Sequence, residues 1–167
     1  TGYRILSGFA RVNYDYNYRY MVSVVARYDG ISKLSDNRWG FFPGISAGWN
    51  VHEEAFFKDS KFAEVVSLIK PRISYGLNGN VNGIGNFDVY GKYGSVGAYN
   101  GNLGYLNTGV VNSKLRWEKS HTFELGLDLG FFNNRIHMIM DYYDRTTSDL
   151  LTDVNLPEYT GFPSFKT

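Results

Sequence analysis

The sequence predicts an all-β fold of about six antiparallel strands, and three observations carry that prediction. Apolar and polar residues alternate along several segments of the chain, which is the period of a strand with two unlike faces. Composition agrees: aromatics make up 17% of the 167 residues, with 14 Tyr, 12 Phe and 19 Gly but only 4 Pro, a mix suited to strands joined by glycine-rich turns. Aromatic residues also recur at a fixed spacing on the apolar face, and that spacing turns out to be a length measurement.

Bulk properties mainly exclude. Lys and Arg number 17 against 16 Asp and Glu, a formal charge of +1, so no overall field points to nucleic acid or to an acidic membrane surface. With no cysteine there is neither a disulfide framework nor a thiolate metal site. No apolar run approaches the roughly 18 to 20 residues of a spanning helix. Membrane β-strands escape that criterion, because only alternate residues face lipid. The chain opens at TGYRIL without a secretory leader, which fits a mature protein or an excised piece.

The elements follow in chain order. Ala10, Val12 and Tyr14 mark a first short strand. From Tyr20 to Tyr28 one face is Tyr20, Val22, Val24, Ala26 and Tyr28, and the other Met21, Ser23, Val25 and Arg27. From Phe41 to Val51 the apolar face is Phe41, Pro43, Ile45, Ala47, Trp49 and Val51, opposite Phe42, Gly44, Ser46, Gly48 and Asn50, which are mostly small. A fourth strand holds Ile69, Pro71, Ile73, Tyr75 and Leu77; Pro71 removes a ladder donor there. A fifth runs from Trp117 to Phe131, with Phe123, Leu125, Leu127, Leu129 and Phe131 opposite Glu118, Ser120, Thr122, Glu124 and Asp128. The sixth carries Ile136, Met138, Met140 and Tyr142.

Tyr20 and Tyr28, Phe41 and Trp49, and Phe123 and Phe131 are each eight residues apart. Eight residues span roughly 26 Å along a strand, or about 20 Å of height at a tilt near 40°. That approaches the apolar band of an outer-membrane barrel, about 25 Å tall and edged by aromatic girdles. These six residues are therefore expected to be a lipid-facing girdle. Connections fit the same architecture, in which short turns lie on one side and long loops on the other. The long exception, between the third and fourth strands, has Phe62, Val65, Val66 and Ile69 at helical spacing behind Asp59 and Ser60, so a short periplasmic helix is expected. Residues 78–112 carry nine Gly and eight Asn, the makings of an adaptable loop or a protruding hairpin. The tail from Thr147 reads as irregular.

Several phrases resemble the SusC/RagA family of TonB-dependent outer-membrane transporters. They are GFARVNYDYNYRYMVSVVARYDG from Gly8, DNRWGFFPGISAGWNVHEEAFF from Asp36, ISYGLNGN from Ile73, LRWEKSHTFELGLDLGFFNNRI from Leu115 and DYYDRTTSDLL from Asp141. The most specific part contains Arg38, Trp39, Gly40, Pro43, Gly48 and Trp49. The resemblance implies a piece of the later strands of a large, 22-stranded transmembrane β-barrel, with the plug domain and the closing C-terminal strands outside residues 1–167. It implies a bacterial outer-membrane location, uptake of oligosaccharides or oligopeptides, a SusD/RagB-like surface lipoprotein as partner, and coupling to the TonB complex through the plug. Two other readings stand beside it: a passive porin or adhesin barrel, and a soluble carbohydrate-binding β-sandwich.

Candidate chemistry is sparse. His52, His121 and His137 fall on separate segments, and HEEAF is not the zinc-protease pattern, so no metal, cofactor or catalytic residue is expected. Gly83 and Gly85 lie in a Gly/Asn loop and not between a strand and a helix. Glu118, Glu124 and Asp128 share one face, where they are expected to pair with Arg27, Arg72 or Arg145 on a polar lumen wall. Trp39, Tyr90, Tyr93, Tyr99 and Tyr105 are expected in extracellular loops, where flat aromatic faces can contact substrate or partner.

Overall fold

The computed structural model describes residues 2–91, 93–107, 110–162 and 164–167, without the side chains of Val96, Tyr99 and Glu158. Six long strands form one antiparallel sheet: β1 (Ile5–Tyr16), β2 (Tyr20–Ile31), β3 (Trp39–Trp49), β4 (Val66–Asn80), β7 (Glu118–Phe131) and β8 (Ile136–Ser148), in that spatial order. Two hairpins stand apart from it, β5 (Tyr93–Tyr99) with β6 (Asn102–Asn107), and β9 (Asp153–Asn155) with β10 (Ser164–Lys166). The six long strands thus lie in one sheet, where a sandwich would divide them between two facing sheets.

Turn chemistry sets the hairpins. Asn17 and Tyr18 take positive φ between β1 and β2, as do Phe132, Asn133 and Asn134 between β7 and β8. In the β5–β6 hairpin Asn100 and Gly101 sit at φ 49° and 76°, the pair of left-handed residues that a tight primed turn demands. The Gly/Asn stretch thus holds a hairpin, with loop on either side of it.

The β3–β4 seam is short, running from Gly44 opposite Gly76 to Gly48 opposite Arg72. Pro43 and Pro71 lie just beyond its two ends. Each proline therefore sits where the β3–β4 ladder has stopped, while Pro43 stays paired to β2 and Pro71 to β7. A missing N–H is tolerated in this position, which explains how β4 extends through Pro71.

Four expectations are corrected. The connection between β3 and β4 holds a one-turn helix α1 (Ala55–Lys58) and two 3₁₀ turns (Val51–Glu53 and Lys61–Glu64), and the expected helical face of Phe62, Val65, Val66 and Ile69 does not form. Val66 and Ile69 belong to β4, opposite Phe131 and Leu129, because β-branched residues favour a strand and the ladder with β7 satisfies their backbone. Val51 lies in a 3₁₀ turn and not in β3. Trp117 precedes β7 and is buried, 6% exposed. The tail contains the β9–β10 hairpin.

The described core sits at the long-loop end. Ile31, Leu34, Phe42, Ile84, Val89, Leu115 and Trp117 are buried together, so the β2–β3 and β4–β7 loops pack on each other and on the sheet. Phe42 meets Trp117 edge to face at 5.3 Å, and its ring fills the space that side chains at Gly40 and Gly79 would occupy. Trp117 Nε1 donates to the Arg38 carbonyl at 3.0 Å, and Asn37 Nδ2 to the Lys114 carbonyl at 3.1 Å. Replacing Phe42 by Ala in the full-length protein should cost about 3–5 kcal/mol, read as faster unfolding in a heat-modifiability gel together with new protease cleavage in residues 81–117; unchanged behaviour in both would contradict this packing.

Candidate functional site

Register aligns the apolar positions of all six strands. Tyr14, Val22, Ala47, Ile73, Leu125 and Tyr142 form one row across the sheet, and Val12, Val24, Ile45, Tyr75 and Phe123 the next. These are not core residues: Val24 is 45% exposed, Ile45 53% and Leu125 44%. A contiguous exposed apolar face of this breadth marks an interaction surface.

The opposite face is polar and finely built. Asn13, Ser23, Ser46, Ser74 and Glu124 form a row across it. Arg72 spans three strands, donating to Asp128 Oδ1 from Nε at 3.1 Å and Nη2 at 2.9 Å, and to Asp141 Oδ1 at 3.0 Å. Of the expected carboxylate pairings, Arg72 with Asp128 is the one that forms among the described residues. Glu124 accepts from Ser74 and Glu118 from Asn80, both at 3.4 Å. Arg27 instead binds the buried Asp29, with Nε donating at 2.6 Å, and Arg145 donates to Thr122 Oγ1 at 3.3 Å. Among the described residues no cluster of three or more His, Asp or Glu side chains is placed to hold a metal ion.

Aromatic residues bracket the apolar face. At the short-turn end Tyr20 opposes Trp49, with ring centroids 6.1 Å apart and planes within 14°. Glu54 ties them together: its Oε1 accepts from the Tyr20 hydroxyl at 2.8 Å and Trp49 Nε1 at 3.2 Å, and Arg19 lies 3.4 Å from Oε2. At the other end Tyr28 opposes Phe41. Phe123 and Phe131 are half-buried and lie opposite Tyr75 and Val66 respectively.

Trp39 is not a loop residue. It is the first residue of β3, and its indole stacks on Tyr28 at 5.0 Å and 4°. The ring crosses Gly30, where a Cβ would stand 2.5 Å from it. Trp39 therefore lies on the apolar face with Phe41. Sequence reasoning missed this, although the alternation Trp39, Phe41, Pro43, Ile45 signals it. Tyr90 precedes the β5–β6 hairpin and is 57% exposed. Tyr93 and Tyr105 share one hairpin face, at 76% and 64% exposure. The Tyr99 backbone lies in β5, and its side chain lies outside the described residues.

Glu54 is held below the usual carboxylate range, chiefly by the bond from Tyr20 and then that from Trp49, and Glu53 by the bond from Lys58. A carboxyl whose folded value is depressed stabilises the fold above its unfolded value and loses that contribution as pH falls through the folded one. Hydrogen-exchange protection over residues 50–58, corrected for intrinsic rate, should drop as wild type is acidified; Glu54→Gln should show the lowered protection already at neutral pH, and equal protection in both proteins would contradict the clasp.

Comparison with known proteins places this geometry. A family model described as TonB dependent receptor-like, beta-barrel matches residues 1–165. TonB-dependent receptor P3 of Formosa agariphila is 40% identical over 164 residues, 96% of this chain and 16% of that protein. TonB-dependent receptor SusC of Bacteroides thetaiotaomicron is 39% identical over 166 residues, 95% of this chain and 16% of that protein. The solved structure of the RagAB peptide transporter matches with a TM-score of 0.88 and 31% identity, over 99% of this chain and 18% of that one. The chain thus spans about 16% of the length of the curated relatives it matches.

Proposed function

The chain belongs to the TonB dependent receptor-like β-barrel family, whose members are outer-membrane proteins, and from that premise we propose that its strands are wall staves of an importer for oligomeric nutrients. The observation that carries the proposal is the co-registered apolar face. One row runs unbroken from Tyr14 on β1 to Tyr142 on β8, and the next from Val12 on β1 to Phe123 on β7, as a surface bathed in lipid requires.

The polar face then lines the lumen. On it Arg72 is paired within the wall with Asp128 and Asp141, which suits a passage whose walls guide cargo without reacting with it. Tyr20, Trp49 and Phe131 lie toward the short periplasmic turns, and Tyr28, Phe41 and Phe123 toward the loops, as two aromatic girdles. Trp39 joins the outer girdle through its stack on Tyr28.

Tyr90, Tyr93 and Tyr105 are the candidate contacts for cargo or for a SusD/RagB-like lipoprotein. An isolated two-stranded hairpin is marginal in water, so β5–β6 is best suited to a covered position in the assembled transporter. Cargo is an oligopeptide or an oligosaccharide; the RagAB neighbour is a peptide transporter, and stacked tyrosines serve either class. TonB would act through a plug encoded elsewhere in the chain, with barrel strands beyond these six completing the wall.

Two experiments test this in the full-length protein. Val24→Arg or Leu125→Arg should cost about 2–4 kcal/mol near the midplane and lower the yield of folded barrel in outer-membrane fractions, with Ser23→Arg milder; normal insertion of both outward variants would sink the assignment of the face. Shortening the β5–β6 hairpin to its turn should leave insertion intact and reduce uptake of the oligomeric cargo, whereas unchanged uptake would remove the hairpin from the cargo path.

A further inference from the structure

The short-turn end carries a corner of paired charges and exposed aromatic side chains that wall building and cargo passage leave without a role. Two connections are joined there. The Asn50 N–H donates to the Arg19 carbonyl at 2.7 Å, and Asn50 Nδ2 donates to the Tyr18 carbonyl at 2.7 Å. Glu54 holds the Arg19 guanidinium from one side at 3.4 Å, yet the Arg19 side chain remains 39% exposed.

A guanidinium carries five N–H donors in a planar fork, and one long carboxylate contact engages little of it. In the two connections joined here Tyr18 is 79% and Phe56 62% exposed, and Tyr20, which shares Glu54 with Arg19, is 45% exposed. Tyr18 stands in the turn between β1 and β2 with φ 57°. An end of the molecule that met only water would gain nothing from such a cluster. At a bilayer edge the combination has a clear partner, since aromatic rings settle at headgroup level and Arg binds phosphate through paired N–H bonds.

We propose that the Arg19 corner is a phospholipid site, in which the Arg19 guanidinium takes the headgroup phosphate of a lipid in the periplasmic leaflet while Tyr18 and Phe56 lie against its glycerol and upper acyl carbons. The site is continuous with the apolar face through Tyr20 and Trp49, and the proposal rests on the reading of that face as lipid-facing. Glu54 has a second part in it. By fastening Arg19, Tyr20 and Trp49 to one carboxylate, it sets the phosphate contact at a fixed height above the girdle. Lys58 is bound by Glu53 at 2.6 Å, closer than the 3.4 Å at which Glu54 holds Arg19, so more of the Arg19 fork is left for a phosphate.

The test uses the full-length protein extracted from membranes and titrated with phosphatidylethanolamine or phosphatidylglycerol, with bound lipids counted by native mass spectrometry. Wild type and the lumen-facing control Arg145→Gln should each hold one phospholipid more than Arg19→Gln at the same lipid concentration, with Arg19→Lys intermediate. Excess inorganic phosphate should leave that lipid in place. Equal lipid counts for wild type and Arg19→Gln, both folded by heat-modifiability, would overturn the site, as would displacement by inorganic phosphate alone, which would mark a general anion site. A protein absent from the membrane fraction in every variant would instead strike at the lipid-facing reading beneath it.

Discussion

Everything in this sheet depends on the preservation of side-chain parity across five strand interfaces. A β-strand has a period of two, so a slip of one residue in any ladder sends every apolar side chain to the opposite face. The registers hold parity throughout the central rows: Val24 faces Val12 on one side and Ile45 on the other, and Leu125 faces Ile73 and Tyr142. In a bilayer the demand is stricter than in water. Backbone N–H and C=O groups have no solvent to turn to, so the ladder that fixes the register is also what makes the strands soluble in hydrocarbon.

From that constraint the two ends acquire different tasks. At the short-turn end, polar clasps such as Glu54 with Tyr20 and Trp49 fix the strands where the apolar band stops. At the long-loop end, an apolar core does the ordering: Phe42 is packed under Trp117 and against Gly40 and Gly79, and it projects from the polar face, away from Phe41. The wall is therefore anchored by hydrogen bonds below and by hydrophobic packing above. Between them lies the β3–β4 seam, bounded by Pro43 and Pro71, which is the shortest ladder in the sheet.

Much of this was legible in the residues themselves. Alternation located all six long strands, and the eight-residue aromatic spacing pointed to a membrane before any fold was known. What failed to show did so for physical reasons. Val65, Val66 and Ile69 fit a helical period and a strand equally well over so short a run, and only the partner strand β7 decides between them. Trp117 and Phe42 look like strand aromatics; their burial comes from loops distant in sequence. Trp39 looked like a loop residue because its neighbours Asn37 and Arg38 are polar, but Gly30 across the ladder opens the space in which its ring lies flat. The Glu54 clasp joins residues separated by 34 positions, a contact with no local signature.

The proposed arrangement sets one face of this sheet against lipid and the other against water. It is tested most directly by nitroxide labels placed one at a time at Val22, Ser23, Val24 and Val25 in a cysteine-free, full-length protein reconstituted in lipid, with collision rates measured against oxygen and a water-soluble nickel chelate. Strict alternation is expected, with positions 22 and 24 favouring oxygen and positions 23 and 25 favouring the chelate. Uniform accessibility along the four positions, or alternation of the opposite phase, would contradict it.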